Sequence, residues 1–118
     1  MAHILAVSYD ESLLRSREML LKAEGYDVVS ARRWSEALER CEAANFDLVI
    51  VGHTIPEEDK RQLMAGIRRV STARIICLQR HPADGFVTGA DFHVQADPDR
   101  LLSLIADVLA GDAPERGT

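Results

Sequence analysis

The chain has 118 residues and a mass of 13.1 kDa, which matches the size of one ordinary domain. Hydrophobic residues make up 47% and charged residues 28%, so the composition excludes a disordered tail, a collagen-like fibre and a disulfide scaffold. The 14 basic and 19 acidic side chains give a formal net charge of −5 at pH 7, which argues against binding to nucleic acid or to an anionic membrane surface.

The chain begins with a strand, a helix and a second strand. Residues 4–7 (ILAV) form a continuous apolar run, which predicts a strand buried on both faces. Residues 10–24 follow with leucines repeated at seven-residue intervals, which is typical of a helix with one apolar face. Gly25 is suited to end that helix, and residues 26–30 predict the second strand.

The middle of the chain repeats this alternation. Ser35 is suited to cap a second helix, and the apolar run at residues 48–51 (LVIV) predicts the central strand. A third helix follows Pro56, and the acidic run at residues 57–59 is interpreted as a solvated loop. The inward stripe of the second helix is predicted to contain Ala37, Leu38, Cys41 and Ala44, and the third helix is predicted from Leu63, Met64, Ile67 and Val70.

Residues 75–78 and 91–94 predict a fourth and a fifth strand. The last helix has the clearest start, because Asp97 is a good N-cap and Pro98 suits the first helical position. Gly111 is expected to end it, so we expect a domain over residues 1–111 and a flexible tail or linker over 112–118. Its inward stripe is predicted to contain Leu101, Leu102, Ile105, Val108 and Leu109.

Strands that alternate with helices at this spacing predict a parallel sheet with helices on both faces. Five strands in a single α/β domain favour the flavodoxin-like order 2-1-3-4-5. Ligands of such sheets bind beyond the carboxyl ends of the strands, so the residues that follow each strand are the ones to search for function.

Short motifs also recur in a fixed order over residues 3–110. They are residues 4–7 before an acidic turn, 25–28 (GYDV), 36–38 (EAL), 46–51 (FDLVIV), 55–59 (IPEED) and 89–91 (GAD). Together they resemble the CheY-like receiver domain of response regulators. The resemblance implies a cytoplasmic module of two-component signal transduction that acts through protein contacts and is not an enzyme.

The residues that carry the chemistry of this family are replaced here. The family binds Mg²⁺ through an acidic pair after strand 1 and accepts a phosphoryl group on an Asp after strand 3. It also has a Ser or Thr after strand 4 and a Lys-Pro pair after strand 5. The matching positions are Ser8 and Tyr9, then Gly52, then Gln79, and then either Gln95–Ala96 or Ala96–Asp97.

An aspartyl phosphate requires a carboxylate nucleophile and a divalent cation held by oxygen ligands. Gly52 has no side chain, and Ser8 and Tyr9 are poor Mg²⁺ ligands. We therefore expect a pseudo-receiver whose phosphorylation pocket is vacated, with no catalytic residue, no metal and no cofactor. Its expected partner is a kinase, another receiver, an output protein or a second copy of the chain.

The alternative function is the sensing of a small ligand in the vacated pocket. Gly52 is expected to open space there, and the surrounding side chains predict a polar but uncharged cleft. Asp10 is interpreted first as the N-cap of helix 1 and otherwise as a ligand contact. His53 is a candidate metal ligand or phosphoacceptor, although a loop histidine that hydrogen-bonds near the pocket is the favoured interpretation.

Three further positions are candidate contacts. Trp34 follows two arginines in the sequence. Its side chain is predicted either to contact a partner or to pack over the sheet edge. Phe92 and His93 each match the place in strand 5 where the family keeps an aromatic residue that senses phosphorylation. The connection from residue 79 to residue 88 is short and contains a Pro and a Gly, so we expect the family's fourth helix to be shortened or missing.

No apolar run approaches the 18 residues of a membrane span, and the first residues lack the basic start of a signal peptide. Cys41 and Cys77 lack the spacing of a metal or redox motif, so two free buried thiols in a reducing cytosol are expected.

Overall fold

The computed structural model describes residues 2–81, 85, 87 and 89–111 of the chain. In these residues five strands alternate with helices. The elements are β1 (His3–Val7), α1 (Glu11–Ala23), β2 (Asp27–Ala31), α2 (Trp34–Ala43), β3 (Leu48–Val51), α3 (Glu57–Val70), β4 (Arg74–Gln79), β5 (Phe92–Gln95) and α4 (Pro98–Ala110).

The five strands form one parallel sheet in the order β2-β1-β3-β4-β5. The prediction of a single flavodoxin-like domain is therefore confirmed. The last residue of β1, Val7, pairs with Val51 of β3 and with Ala31 of β2. The residues that follow β1 and β3 consequently start side by side at one edge of the sheet.

Each face of the sheet is covered by a separate apolar core. Leu5 and Val7 point toward α2 and α3, where they pack with Ala37, Leu63 and Ile67. The alternate residues of the same strand face α1 and α4, because successive side chains of a strand point to opposite faces. This second core contains Ile4, Ala6, Leu14, Leu21, Leu48, Ile50, Leu101, Ile105 and Val108.

Most helix ends follow local sequence signals. Asp10 caps α1 by accepting a hydrogen bond from the Leu13 N–H at 3.0 Å, and Asp97 caps α4 in the same way. Gly111 ends α4 in the left-handed conformation with φ of 81°, as predicted. Gly25 likewise has a positive φ, of 91°, directly after the end of α1.

The start of α2 was predicted wrongly. The helix begins at Trp34 with Arg33 as its N-cap, so Ser35 is already inside the first turn. The carboxylate of Glu36 accepts the Arg32 N–H at 2.8 Å, and this contact accompanies a helix start two residues earlier than a serine cap would give.

One prediction about α3 is also wrong. The acidic run at residues 57–59 is not a loop but the first turn of α3, where negative charge is favoured by the helix dipole. Val70 lies in α3 as predicted, and it is 41% exposed because it is the last residue of the helix and the chain leaves as extended backbone at Ser71.

The connection between β4 and β5 contains no helix among its described residues. The expectation of a shortened or missing fourth helix also involves residues 82–84, 86 and 88, and the expected tail is residues 112–118. Both sets lie outside the described residues.

Within the part of the chain that the structure describes, no helix has the length and apolar character needed to span a bilayer. Both cysteines are buried free thiols, and burial raises the pKa of each.

A polar network joins α3 to the starts of β4 and β5. The Arg68 guanidinium donates to the Asp91 carboxylate at 2.6 Å and to the carbonyls of Gly89 and Ala73 at 2.7 and 3.2 Å. The same Asp91 oxygen accepts the Ile75 N–H at 2.8 Å. Asp91 therefore connects a strand backbone with a helix side chain.

We predict that Asp91→Ala lowers the free energy of unfolding by about 1–3 kcal/mol, because the Ile75 N–H loses its partner in a partly buried place. Urea unfolding measures the change. Asp107→Ala on the exposed face of α4 is the control and should change the free energy by less than about 0.5 kcal/mol. Equal effects of the two substitutions would contradict this role of Asp91.

Candidate functional site

The ends of β1 and β3 bring Ser8 and Gly52 together. The Gly52 N–H donates to the Val7 carbonyl at 2.8 Å. Ser8 is fully buried, and its Oγ lies 3.3 Å from the Thr54 Oγ1 and 3.2 Å from the Asp10 nitrogen, whose N–H donates to it. The predicted neighbours therefore do meet, and Thr54 joins them although the sequence analysis did not select it.

The space for a side chain at position 52 is narrow. A Cβ added to Gly52 would be 3.0 Å from the Val7 carbonyl oxygen, 3.3 Å from the Ser8 Cβ and 3.4 Å from the Arg17 Nη1. The expectation that Gly52 opens free space is wrong at this point, because the Val7 carbonyl oxygen and the Ser8 Cβ lie close to it, with the Arg17 guanidinium next to them.

Arg17 is the residue that the sequence analysis missed. Its side chain is only 9% exposed, and its Nη1 is buried without a hydrogen-bond partner among the described residues. Burial lowers the pKa of Arg17, and the nearby Asp10 carboxylate opposes that shift. The guanidinium is thus a buried charge beside the backbone of Gly52.

A signal for Arg17 exists in the sequence. Leu14 and Leu21 form the buried stripe of α1, and Arg17 lies between them at the spacing of one helical face. A charged residue inside an apolar stripe points inward unless its side chain bends away. The predicted uncharged cleft is consequently wrong, since the site contains a buried cation.

The side chains of Ser8 and Tyr9, which match the family's acidic pair, bond to different partners. The Tyr9 hydroxyl donates to the Asp59 carboxylate at 2.7 Å and accepts the Trp34 N–H at 3.4 Å. Burial and the hydrogen bond to Asp59 raise the pKa of Tyr9. Tyr9 and Trp34 both pack against the core on the α2–α3 face, which favours packing for Trp34 over a free, exposed contact.

His53 follows Gly52 and borders a groove of about 560 Å³ together with Lys60 and Gln79. Its Nδ1 is buried and finds no hydrogen-bond partner in the described part of the chain, so the hydrogen bond expected there is not seen at this atom. Burial lowers the pKa of His53, and the positive charges of Arg80, Arg17 and Lys60 lower it further. Three cationic side chains therefore act on His53, opposed by the Asp10 carboxylate.

The residues after β4 and in β5 have separate contacts. Gln79 pairs with Gln95 in the sheet, and its carbonyl accepts the Ala96 N–H at 2.8 Å. The Gln95 side chain accepts a hydrogen bond from Arg100 at 2.9 Å and is thereby held toward α4. Ala96 is thus the residue beyond β5 that lies beside β4.

Phe92 and His93 lie on opposite faces of β5. Phe92 packs with the core on the α1–α4 side, whereas the His93 Nε2 accepts the Val87 N–H at 2.8 Å. Burial and the positive charge of Lys60 lower the pKa of His93, which keeps Nε2 available as an acceptor.

Metal binding finds no support in the described residues. No three His, Cys, Asp or Glu side chains of residues 2–81, 85, 87 and 89–111 converge in a way that could hold an ion.

We predict that His93 makes folding sensitive to mild acid. Its pKa is lowered in the folded state, so the unfolded chain binds a proton first and the free energy of unfolding falls as the pH drops below about 6.5. His93→Gln keeps an acceptor for the Val87 N–H without titrating. Urea unfolding at about pH 7.5 and about pH 5.5 should show a smaller loss in the variant. An equal loss in both proteins would contradict the prediction.

Solved structures share this architecture over nearly the whole chain. A response regulator receiver domain (CheY-like) from Methanospirillum hungatei JF-1 superposes with a TM-score of 0.81 at 24% identity, covering 95% of this chain and 96% of that one. The response regulator TrrA from Thermotoga maritima, in complex with Mg²⁺–BeF, gives a TM-score of 0.76 at 26% identity, covering 93% of this chain and 98% of that one. The chain has the fold of a response-regulator receiver domain.

No family model matches the sequence. The amino-acid sequence is also similar to parts of longer regulatory proteins. The transcriptional regulatory protein GlrR of Escherichia coli (strain K12) is 33% identical over 96% of this chain and 27% of its own length. An uncharacterized transcriptional regulatory protein, YclJ of Bacillus subtilis (strain 168), is 30% identical over 91% of this chain and 49% of its own length. This chain therefore spans only a quarter to a half of these relatives.

Proposed function

We propose that this chain is a receiver domain of two-component signalling that works without aspartyl phosphorylation. The observation that carries the proposal is the contact between Arg17 and Gly52, at the end of the strand where the family's acceptor aspartate would stand. Gly52 offers no carboxylate, and the Arg17 Nη1 lies 3.4 Å from the place of its missing Cβ. A buried cation thus stands beside the position where the family keeps its acceptor.

The chemistry of phosphoryl transfer supports this assignment. An acyl phosphate needs a carboxylate nucleophile and a divalent cation bound by hard oxygen ligands. Ser8 supplies only a buried hydroxyl, which is already engaged with Thr54 and Asp10, and Tyr9 is directed to Asp59. A buried arginine beside Gly52 repels the cation that the reaction would require.

The signal would then pass through protein contacts. The partner class is a histidine kinase, another receiver, an output protein or a second copy of this chain, acting in the cytoplasm. The names of the relatives describe transcriptional regulation, which supports a place for this chain in a regulatory pathway. The role assigned to it is that of a signalling module and not of an enzyme.

A second candidate function is the sensing of a small ligand, and one observation favours it. The Arg17 Nη1 is a buried donor with no acceptor among the described residues. Buried donors are nearly always satisfied, so an acceptor supplied by a ligand would complete the site.

The first proposal predicts that acetyl phosphate with Mg²⁺ leaves the intact mass of the protein unchanged. Beryllofluoride with Mg²⁺ should likewise produce no saturable NMR amide shifts at residues 8–10 or 52–54. TrrA from Thermotoga maritima, whose structure contains Mg²⁺–BeF, is the positive control. A phosphoryl adduct on this chain would overturn the proposal.

Gly52→Asp tests whether the missing carboxylate alone accounts for the expected lack of phosphorylation. The new carboxylate would lie next to the Arg17 guanidinium and pair with it, while the Mg²⁺ ligands after β1 would still be absent. We expect no adduct from acetyl phosphate. An adduct in this variant would show that a working metal site is present and would contradict the role given to Arg17.

A further inference from the structure

Arg17 also borders a groove on the side of α1 that faces α4. The groove has a volume of about 220 Å³ and runs between α1, the end of β4 and the start of α4. Arg17 lines it, so the same side chain borders the groove and reaches Gly52. The other lining residues that matter here are Leu13, Leu20, Leu78, Asp97 and Leu101.

The charge of Arg17 has no counter-ion in the described residues. Asp10 acts on Arg17 and Asp97 lines the same groove, but both accept backbone N–H groups at helix starts and neither forms an ion pair with Arg17. A buried charge that lacks a partner costs several kcal/mol, whereas a bound anion with good geometry offsets that cost. The site is therefore incomplete without an acceptor.

The residues that line the groove indicate the chemistry of the rest of the ligand. Leu13 and Leu20 are half-buried on α1, and Leu78 and Leu101 form the opposite, buried wall. The volume equals that of about seven water molecules, which restricts the groove to a small ligand. Four leucines favour an apolar body, and a single guanidinium matches one carboxylate in a bidentate arrangement.

We propose that the α1–α4 groove binds a small apolar monocarboxylate, with its carboxylate on Arg17 and its body against the four leucines. A dianion such as phosphate is a poorer match, because Arg17 is the only cation among the described residues that line this groove. The proposal deepens the ligand-sensing candidate and rests on it, by naming the class of ligand and the place where it binds.

Sodium benzoate is the probe for the test, added to the ¹⁵N-labelled chain and followed by amide shifts. We expect saturable shifts at residues 13–20, 52 and 97–101 with a Kd on the order of 1 mM. Benzamide has the same shape without the charge and should bind at least about tenfold more weakly. Sodium phosphate at matched ionic strength should cause no saturable shift.

Arg17→Met keeps the apolar stem, removes the buried charge and should abolish the response to benzoate. Arg15→Met is the matched control, because Arg15 is exposed on the same helix and pairs with Glu11 at the surface. It should leave the benzoate affinity unchanged. The comparison of benzoate with benzamide on the unaltered chain needs no variant and keeps the proposal testable if Arg17→Met fails to fold.

Three results would overturn the proposal: no saturation by benzoate, equal binding of benzoate and benzamide, or saturable binding of phosphate in the groove. None of them bears on phosphorylation, which is measured by the mass of the acetyl phosphate product. An adduct there would overturn the first proposed function and leave the benzoate titration to be judged separately.

Discussion

The buried guanidinium of Arg17 against the backbone of Gly52 is the contact on which the chemistry of this receiver fold depends. Nη1 lies 3.4 Å from the point where a Cβ at position 52 would stand, and the side chain is 9% exposed. A Cβ at position 52 would be tightest against the Val7 carbonyl oxygen, 3.0 Å away, and in ordinary contact with the arginine. A buried cation therefore lies directly beside position 52.

The surrounding residues fit a site built around a cation. Ser8 is neutral and is engaged with Thr54, and Tyr9 is drawn away to Asp59. The acids that lie closest, Asp10 and Asp97, hold helix starts. Lys60 and Arg80 add positive charge near His53. The side chains at the ends of β1 and β3 are therefore neutral or engaged elsewhere, and the charge among them is that of Arg17.

The parts of the fold with local signals could be predicted from the sequence. The run at residues 48–51 is apolar on both faces because the sheet is covered on both faces, and Asp97 and Gly111 bound α4 through capping chemistry in their own turns. The start of α2 was missed because Glu36 reaches back to Arg32, a contact that competes with the serine cap. The charge of the site was missed for a different reason. Arg17 is distant in sequence from Gly52, and their contact arises only when α1 packs on the sheet.

The central claim is that Arg17 is a buried cation at Gly52 in solution. The most direct measurement is NMR of the ¹⁵N-labelled arginine side chains, with nuclear Overhauser effects from the guanidinium protons. The account predicts resolved, slowly exchanging Arg17 Nη protons with an Overhauser effect to the Gly52 α-protons. A single averaged signal of a freely solvated guanidinium, without any effect to Gly52, would contradict the account.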